Sequence, residues 1–291
     1  MQALLLHSPT NFTPFMFWQT SRFRISLAKP SVMGIVNVTP DSFSDGGQYL
    51  DSAAALRHCE ALLDEGADIL DIGAESSRPG AVAVNWTDEW TRVQPVLVGA
   101  LTLGCPVSLD TTKVELMERA LALGVDIIND ISALRRPGAM AAVIAHDTCG
   151  VCLMHMQGQP QDMQGMTEYA DVLMEVRQFL TLRARALLAQ GVHAERIVLD
   201  PGIGFGKTVA HNLDLLRGQR ELQGIGFPLL VGWSRKSTLG ALIGRPTGDR
   251  VAASVSAALA AVQRGASIVR VHDVAATVDA LKVWTAAGLL T

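Results

Sequence analysis

Eight short apolar runs punctuate this chain, at residues 32–39, 68–74, 107–111, 126–131, 151–156, 197–201, 229–234 and 268–273. Each is rich in Val, Ile and Leu and too short for a helix, as expected of a strand buried on both faces. The segments between them carry helical spacing. In the clearest, Val172, Val176, Phe179, Leu180, Leu187 and Leu188 share one face, and Gly191 supplies a stop. Another opens with Thr112-x-x-Glu115, the spacing of a capping box, and closes at Gly124. Eight strands alternating with helices, within the ~250 residues such a fold needs, predict one α/β domain, a (β/α)8 TIM barrel. A doubly wound open sheet is the alternative. It usually carries a glycine-rich turn after its first strand, and here that turn is Thr39-Pro40-Asp41. Residues 1–21 read as a loosely ordered extension and residues 22–291 as the barrel. Phe23, Ile25 and Leu27 alternate with polar residues, as in a hairpin strand capping the barrel's lower end.

Composition narrows the function classes. The net charge is −4 with no basic tract, which argues against nucleic acid and anionic membranes as partners. No run approaches the ~18 apolar residues of a membrane span, and the amino terminus lacks a secretory pattern, so a cytoplasmic location is expected. Four cysteines do not make a disulfide framework. Cys149-Gly-Val-Cys152 lacks a second pair for zinc, and Cys152 sits inside an apolar run, so buried thiols are expected.

The chemistry of a barrel belongs at the carboxyl ends of its strands. Those ends carry Asn37, Glu75 to Gly80, Asp110, Asn129 with Asp130, Met154-His155-Met156, Asp200 to Lys207, Ser234-Arg235-Lys236-Ser237 and Arg270-Val271-His272-Asp273. One Asp at a strand end is an ordinary helix cap. Eight polar ends around one ring are not explained by capping. Asp110, Asn129 and Asp200 are compact acceptors or amides, suited to a flat heterocycle with several N–H donors. Arg78, Arg235, Lys236, Arg270 and His272 are cations or donors, suited to an anion or to stacking on a ring. No Ser or Cys nucleophile has an evident base, and no metal-ligand spacing is present. The stretch Gly202-Ile-Gly-Phe-Gly-Lys207-Thr208 approximates a phosphate loop, but Pro201 stands where its first glycine must be.

The longest of these motifs runs from Met33 to Gly47, where an apolar strand breaks into hydroxyls, two carboxylates and Gly46-Gly47. With Asp71-Ile-Gly-Ala-Glu-Ser-Ser-Arg-Pro-Gly80, Ile127-Ile-Asn-Asp-Ile131, residues 200–207, Ser234 to Ser237 and Arg270 to Asp273, it closely resembles the dihydropteroate synthase family, over residues 22–288. The resemblance implies a pterin-binding barrel, usually a homodimer. The implied reaction joins (7,8-dihydropterin-6-yl)methyl diphosphate to 4-aminobenzoate, giving 7,8-dihydropteroate and diphosphate. It further implies that Asp110, Asn129, Asp200 and Lys236 bind the pterin, with Arg270 across its face and Met154 lining the pocket. Asn37, acting through Mg2+, would hold the diphosphate with Arg270 and His272. Ser77, Arg78, Pro79, Phe205, Lys236 and Ser237 would form the aminobenzoate site. The loops at 39–47 and 75–81 would close over it, with Asp41 and Arg78 among the catalytic groups. Ser77 stands where the family more often has Thr, and Trp233 where Met is frequent. Trp233 is expected to face away from the ligand. A pterin-dependent methyltransferase barrel would have no use for Ser76 to Gly80 or Ser234 to Ser237. A non-catalytic homologue would not need all the anion-binding positions filled.

Overall fold

The computed structural model describes residues 16–39, 48–76, 80, 81 and 83–290. An antiparallel hairpin of β1 (Phe17–Gln19) and β2 (Arg24–Ser26) comes first. Eight parallel strands follow: β3 (Ser31–Asn37), β4 (Ile69–Gly73), β5 (Val107–Asp110), β6 (Ile127–Asp130), β7 (Gly150–Met154), β8 (Ile197–Asp200), β9 (Leu230–Val231) and β10 (Ile268–Val271). Their hydrogen-bonded order is β8-β7-β6-β5-β4-β3-β10-β9, and a parallel bridge between Leu199 and Leu229 joins the two edges into a barrel. Helices α1 (Gln48–Asp64), α2 (Trp86–Ala100), α3 (Val114–Leu123), α4 (Ala139–Ile144) and α5 (Val172–Leu188) fill the first five connections. The paired helices α6 (Val209–Arg217) and α7 (Gln219–Gln223), and then α8 (Ser237–Ile243) and α9 (Val251–Gln263), fill the next two. α10 (Val274–Ala286) follows the last strand.

All eight expected strands are present, but most stop one or two residues early, and β9 keeps only two of its six. The cause is at the mouth. Beyond Val231 the chain turns toward Arg235, whose φ of 58° lies in the left-handed region. Elsewhere single bonds prolong the pairing past the strand ends, as from Thr111 N to the Asn129 carbonyl at 3.1 Å. The expected capping box of α3 does not form. The helix starts one residue later than that box requires, with Lys113 at the cap position, and an ammonium has no acceptor to offer the helix N–H groups; it pairs instead with two carboxylates. The helix does end at Gly124, with φ of 97°.

Two apolar layers hold the barrel. The larger lies between sheet and helices and contains Trp233, which therefore points outward from the barrel axis. The smaller plugs the lower end: Met33, Ile69, Ile127, Cys152, Val198, Leu230 and Ile268 pack with Trp18 and Ile25 of the hairpin. Trp18 is completely buried, and its Nε1–H donates to the Arg196 carbonyl at 2.9 Å, satisfying the one polar atom of that ring. Arg22 anchors the hairpin to Asp126 at 2.6 Å. The hairpin thus begins inside the stretch read as an extension; residues 1–15 lie outside the described residues. All four cysteines are free and buried.

Candidate active site

Strand pleat turns the lower plug into a map of the mouth. Side chains two residues apart share a face. Two positions above Ile69, Ile127, Cys152, Val198 and Ile268 stand Asp71, Asn129, Met154, Asp200 and Arg270. The barrel interior therefore changes within one layer from apolar to ionisable, and Asp110 joins that layer beside Asn129, its Cα partner on the neighbouring strand.

Arg270 is the centre of the layer. Its Nε–H donates to Asp71 Oδ2 at 2.6 Å and an Nη2–H to Asp110 Oδ2 at 2.8 Å. Asn129 Nδ2 donates to the same Asp71 oxygen at 3.1 Å. The two carboxylates raise the guanidinium pKa further against burial, so Arg270 is a permanent cation. Asp71 is fully buried, and its Oδ1 has no partner among the described residues. Burial pushes Asp110 up to about 7, with Arg270 pulling the other way and Asp71 adding to the rise. Burial likewise pushes Asp200 up to about 6, opposed by the Gly202 N–H that Oδ1 accepts at 2.7 Å. A carboxylate poised in this way changes its proton state with the ligand set before it.

Lys236 and Phe205 form the opposite wall. The ammonium lies 4.0 Å from the ring centroid, a cation–π contact. Desolvation, then Arg270, lower the Lys236 pKa to about 8. Phe205 packs with Ile131, Met154, Met156 and Met163, so the wall is apolar except for that one charge. Ser237 is exposed at the start of α8. Asn37 is half-buried at the top of β3, and its side-chain amide bonds to no other described residue.

His272 is not a cation, and Arg235 is a cation turned elsewhere. Burial and Arg270 depress the His272 pKa to about 3, so the ring is neutral. The Ser234 hydroxyl oxygen accepts the His272 backbone N–H at 3.1 Å and lies 3.0 Å from Nδ1. Ser234 thus fixes the ring through Nδ1, and the neutral imidazole carries a single N–H donor. Arg235 does not join the site. It forms a two-pronged ion pair with Asp273, at 2.6 and 3.1 Å. Asp41, Ser77, Arg78 and Pro79 lie outside the described residues.

Three features were not singled out from sequence. Asp71 is one; a carboxylate inside the apolar strand Ile69-Leu70-Asp71-Ile72 was its signal. The second is a buried triad in which Lys113 pairs with Glu75 at 2.8 Å and with Glu89, joining the segment after β4 to α2 and α3. The third is Lys207, whose Nζ is buried against His155 Nδ1 and backbone carbonyls and cannot serve a phosphate loop. Among the described residues no group of three His, Cys, Asp or Glu could hold a metal, and no helix is long and apolar enough to cross a membrane.

Known proteins share this architecture. The model of the pterin binding enzyme family matches residues 33–272. The dihydropteroate synthase of Neisseria meningitidis serogroup B is 55% identical over 278 residues, covering 94% of this chain and 98% of that protein. The structure of the Xanthomonas albilineans dihydropteroate synthase with 4-aminobenzoic acid superposes with a TM-score of 0.87 at 49% identity, covering 92% of this chain and 96% of that one. The Burkholderia cenocepacia enzyme complexed with 7,8-dihydropteroate superposes with a TM-score of 0.85 at 49% identity, over 94% and 96%.

Proposed function

This chain belongs to the dihydropteroate synthases of the pterin binding enzyme family, and we propose how its own residues divide the work of that reaction. The enzyme is a transferase that joins a dihydropterin-methyl diphosphate to 4-aminobenzoate and releases diphosphate. The observation that carries the assignment of roles is the single ionisable layer of Asp71, Asp110, Asn129, Asp200 and Arg270 directly above an apolar plug. A flat heterocycle lowered into the mouth meets acceptors at its N–H edge and a guanidinium against its face.

Asp200, Asp110 and Asn129 bind the pterin edge in this reading. Arg270, fixed by two carboxylates, keeps one Nη group free to follow charge onto the departing diphosphate. His272 adds a neutral N–H donor there. Met154 lines the pterin pocket, and Phe205, Lys236 and Ser237 border the aminobenzoate; Asp41, Ser77, Arg78 and Pro79 are assigned beside the latter on family resemblance. The aromatic amine is neutral at pH 7 and already nucleophilic, so a strong base is not needed before attack. The demanding step is departure of diphosphate from the methylene carbon, which the electron-rich pterin stabilises as a cation. Asp110 and Asp200 supply negative charge beside that cation. The substitution is therefore dissociative; excluding water is assigned, on family resemblance, to the 39–47 and 75–81 loops, of which 40–47 and 77–79 lie outside the described residues.

Asn37 fits a Mg2+ role of limited kind. One neutral amide oxygen with no bond to another described residue suits an ion that keeps most of its water. When bound, Mg2+ neutralises charge on the diphosphate. A homodimer and a cytoplasmic location complete the proposal, the first supported by the exposed apolar side chains Leu242, Ile243 and Val283.

Incubating the purified chain with both substrates and Mg2+ tests the reading. Dihydropteroate and diphosphate should appear in equal amounts, and neither without 4-aminobenzoate. Labelled diphosphate should exchange into the pterin substrate in the absence of amine; strict dependence of exchange on the amine would contradict the dissociative step.

A further inference from the structure

Lys207 is 4% exposed, yet it has no carboxylate within ion-pairing distance among the described residues. A buried ammonium is expensive unless its hydrogens are satisfied. Here they are, by a cage. Nζ lies 3.0 Å from the Gly202 carbonyl, 2.9 Å from the Phe205 carbonyl and 3.0 Å from His155 Nδ1. The ammonium's three N–H donors match these three close acceptors when His155 Nδ1 carries no proton. The Gly202 to Gly206 turn is built around that nitrogen. Gly202, Gly204 and Gly206 all have positive φ, at 69°, 83° and 58°, and in the turn they form the carbonyls of Gly202 and Phe205 face the nitrogen. A Cβ on Gly202 would lie 1.9 Å from the His155 carbonyl oxygen, so the turn has no alternative path there.

What the turn delivers to the mouth is Phe205. Its carbonyl is held by Lys207, and its ring stands 4.0 Å from Lys236 Nζ. The next carbonyl, of Gly206, accepts the Tyr169 hydroxyl at 2.9 Å. We propose that Lys207 is a positioning residue for the second substrate: its ammonium holds the 202–206 turn so that Phe205 and Lys236 form one wall of the aminobenzoate site. The inference rests on the reading that Phe205 borders the aminobenzoate. Lys207 holds the carbonyls of Gly202 and Phe205, whereas the pterin-facing Asp200 takes its own bond from the Gly202 N–H, a contact that does not pass through the lysine.

The groups facing Lys207 define its proton state. His155 lies on the chain after β7, Asp200 ends β8, and Lys236 precedes α8. Tyr169 contacts both the His155 ring and the turn. Burial lowers the Lys207 pKa to about 7, with Asp200 opposing and Lys236 reinforcing. Burial and the Lys207 charge keep His155 neutral, at about 3. Loss of the Lys207 proton removes one donor from the cage.

Four measurements on the full chain test this. Lys207→Met should raise the KM for 4-aminobenzoate about tenfold or more, the scale of one lost charged hydrogen bond, and leave the Kd for the pterin diphosphate within about threefold. His155→Gln, which keeps the amine but moves an acceptor, should shift the same KM in the same direction by less. In the unaltered protein, hydrogen-exchange protection over residues 202–206 should fall between pH 6 and pH 8.5 after correction for intrinsic rates, while β6 stays constant. Phe205→Ala is the control for the underlying reading. If it leaves the aminobenzoate KM unchanged, Phe205 does not border that substrate. If it raises KM but both cage variants and the exchange profile do not respond, the Lys207 inference is overturned. An equal loss of pterin and aminobenzoate binding in Lys207→Met overturns it as well, since the lysine would then be a general scaffold.

Discussion

Replacing Asp71 by Asn removes one charge from the layer that fixes Arg270 and almost nothing else. Asp71 Oδ2 takes both bonds, from Arg270 Nε and Asn129 Nδ2, while Oδ1 takes none. An asparagine can set its carbonyl oxygen at the Oδ2 position and its amide where the unpartnered oxygen stood. A hydrogen bond to a charged acceptor contributes about 1.5–3 kcal/mol and a neutral one about 0.5–1.5, so the grip on Arg270 weakens by about 1–2 kcal/mol. If Arg270 acts on the leaving diphosphate, turnover falls by about 5–30-fold. Asp71→Ala goes further, because it leaves the buried Asn129 amide unpaired and Arg270 with one carboxylate. Breaking a buried pair costs about 3–5 kcal/mol, a loss of two to three orders of magnitude or more. Initial rates of diphosphate release, with thermal melts to establish folding, give both numbers. Asp71→Asn should also move the Asp110-dependent limb of the pH–rate profile to lower pH, since a like charge that raises Asp110 is gone. Activity within twofold of the parent for both variants, with an unmoved limb, would refute the argument: Arg270 would then be set by Asp110 alone.

Two further outcomes follow from the same geometry. Arg270→Ala should lower kcat/KM by at least about a hundredfold through loss of leaving-group stabilisation, and an unchanged kcat/KM would remove Arg270 from the reaction. Trp18→Ala should destabilise the fold by about 3–5 kcal/mol, read as a lower urea midpoint, with kcat unchanged at a temperature where the variant is folded. A kcat loss in the folded state would mean that the lower plug shapes the mouth.

The barrel was legible because its strands advertise themselves twice, as apolar runs and as polar ends. The rule that barrel chemistry gathers at the carboxyl ends was enough to place Asn37, Asp110, Asn129, Asp200 and Arg270 at one mouth, and the fold puts them there. Strand ends were less legible, since the polar residues that finish each run leave the ladder while still facing the interior. Asp71 shows what alternation can add: counting by two from Ile69 places it inside the barrel, but the partner 199 residues away is visible only in the fold. Arg235 and Lys236 show a limit. They are adjacent cations, and the left-handed φ at Arg235 sends one to Asp273 and the other to the site. Trp18 carried no signal either, because its value lies in joining a buried cluster whose other members are Ile25 and residues of seven barrel strands. Thr112 and Glu115 had the spacing of a cap, but the helix begins at Val114, which puts Lys113 rather than Thr112 at the cap position.

The central claim is that the ionisable layer above the plug reads the pterin, with Asp200 as an ionised acceptor. Calorimetric titration of the pterin diphosphate into the enzyme without aminobenzoate tests it directly. Asp200 has a raised pKa of about 6, so its acceptor form is complete above that pH and is lost below it. Affinity should therefore be greatest near pH 7.5 and weaken by about tenfold per pH unit below 6. Asp200→Asn should bind about a hundredfold more weakly at pH 7.5, the cost of a mismatched charged hydrogen-bond pair, and show a flatter profile on the acid side. Affinity within threefold of the parent at pH 7.5, with the same acid limb, would contradict the account.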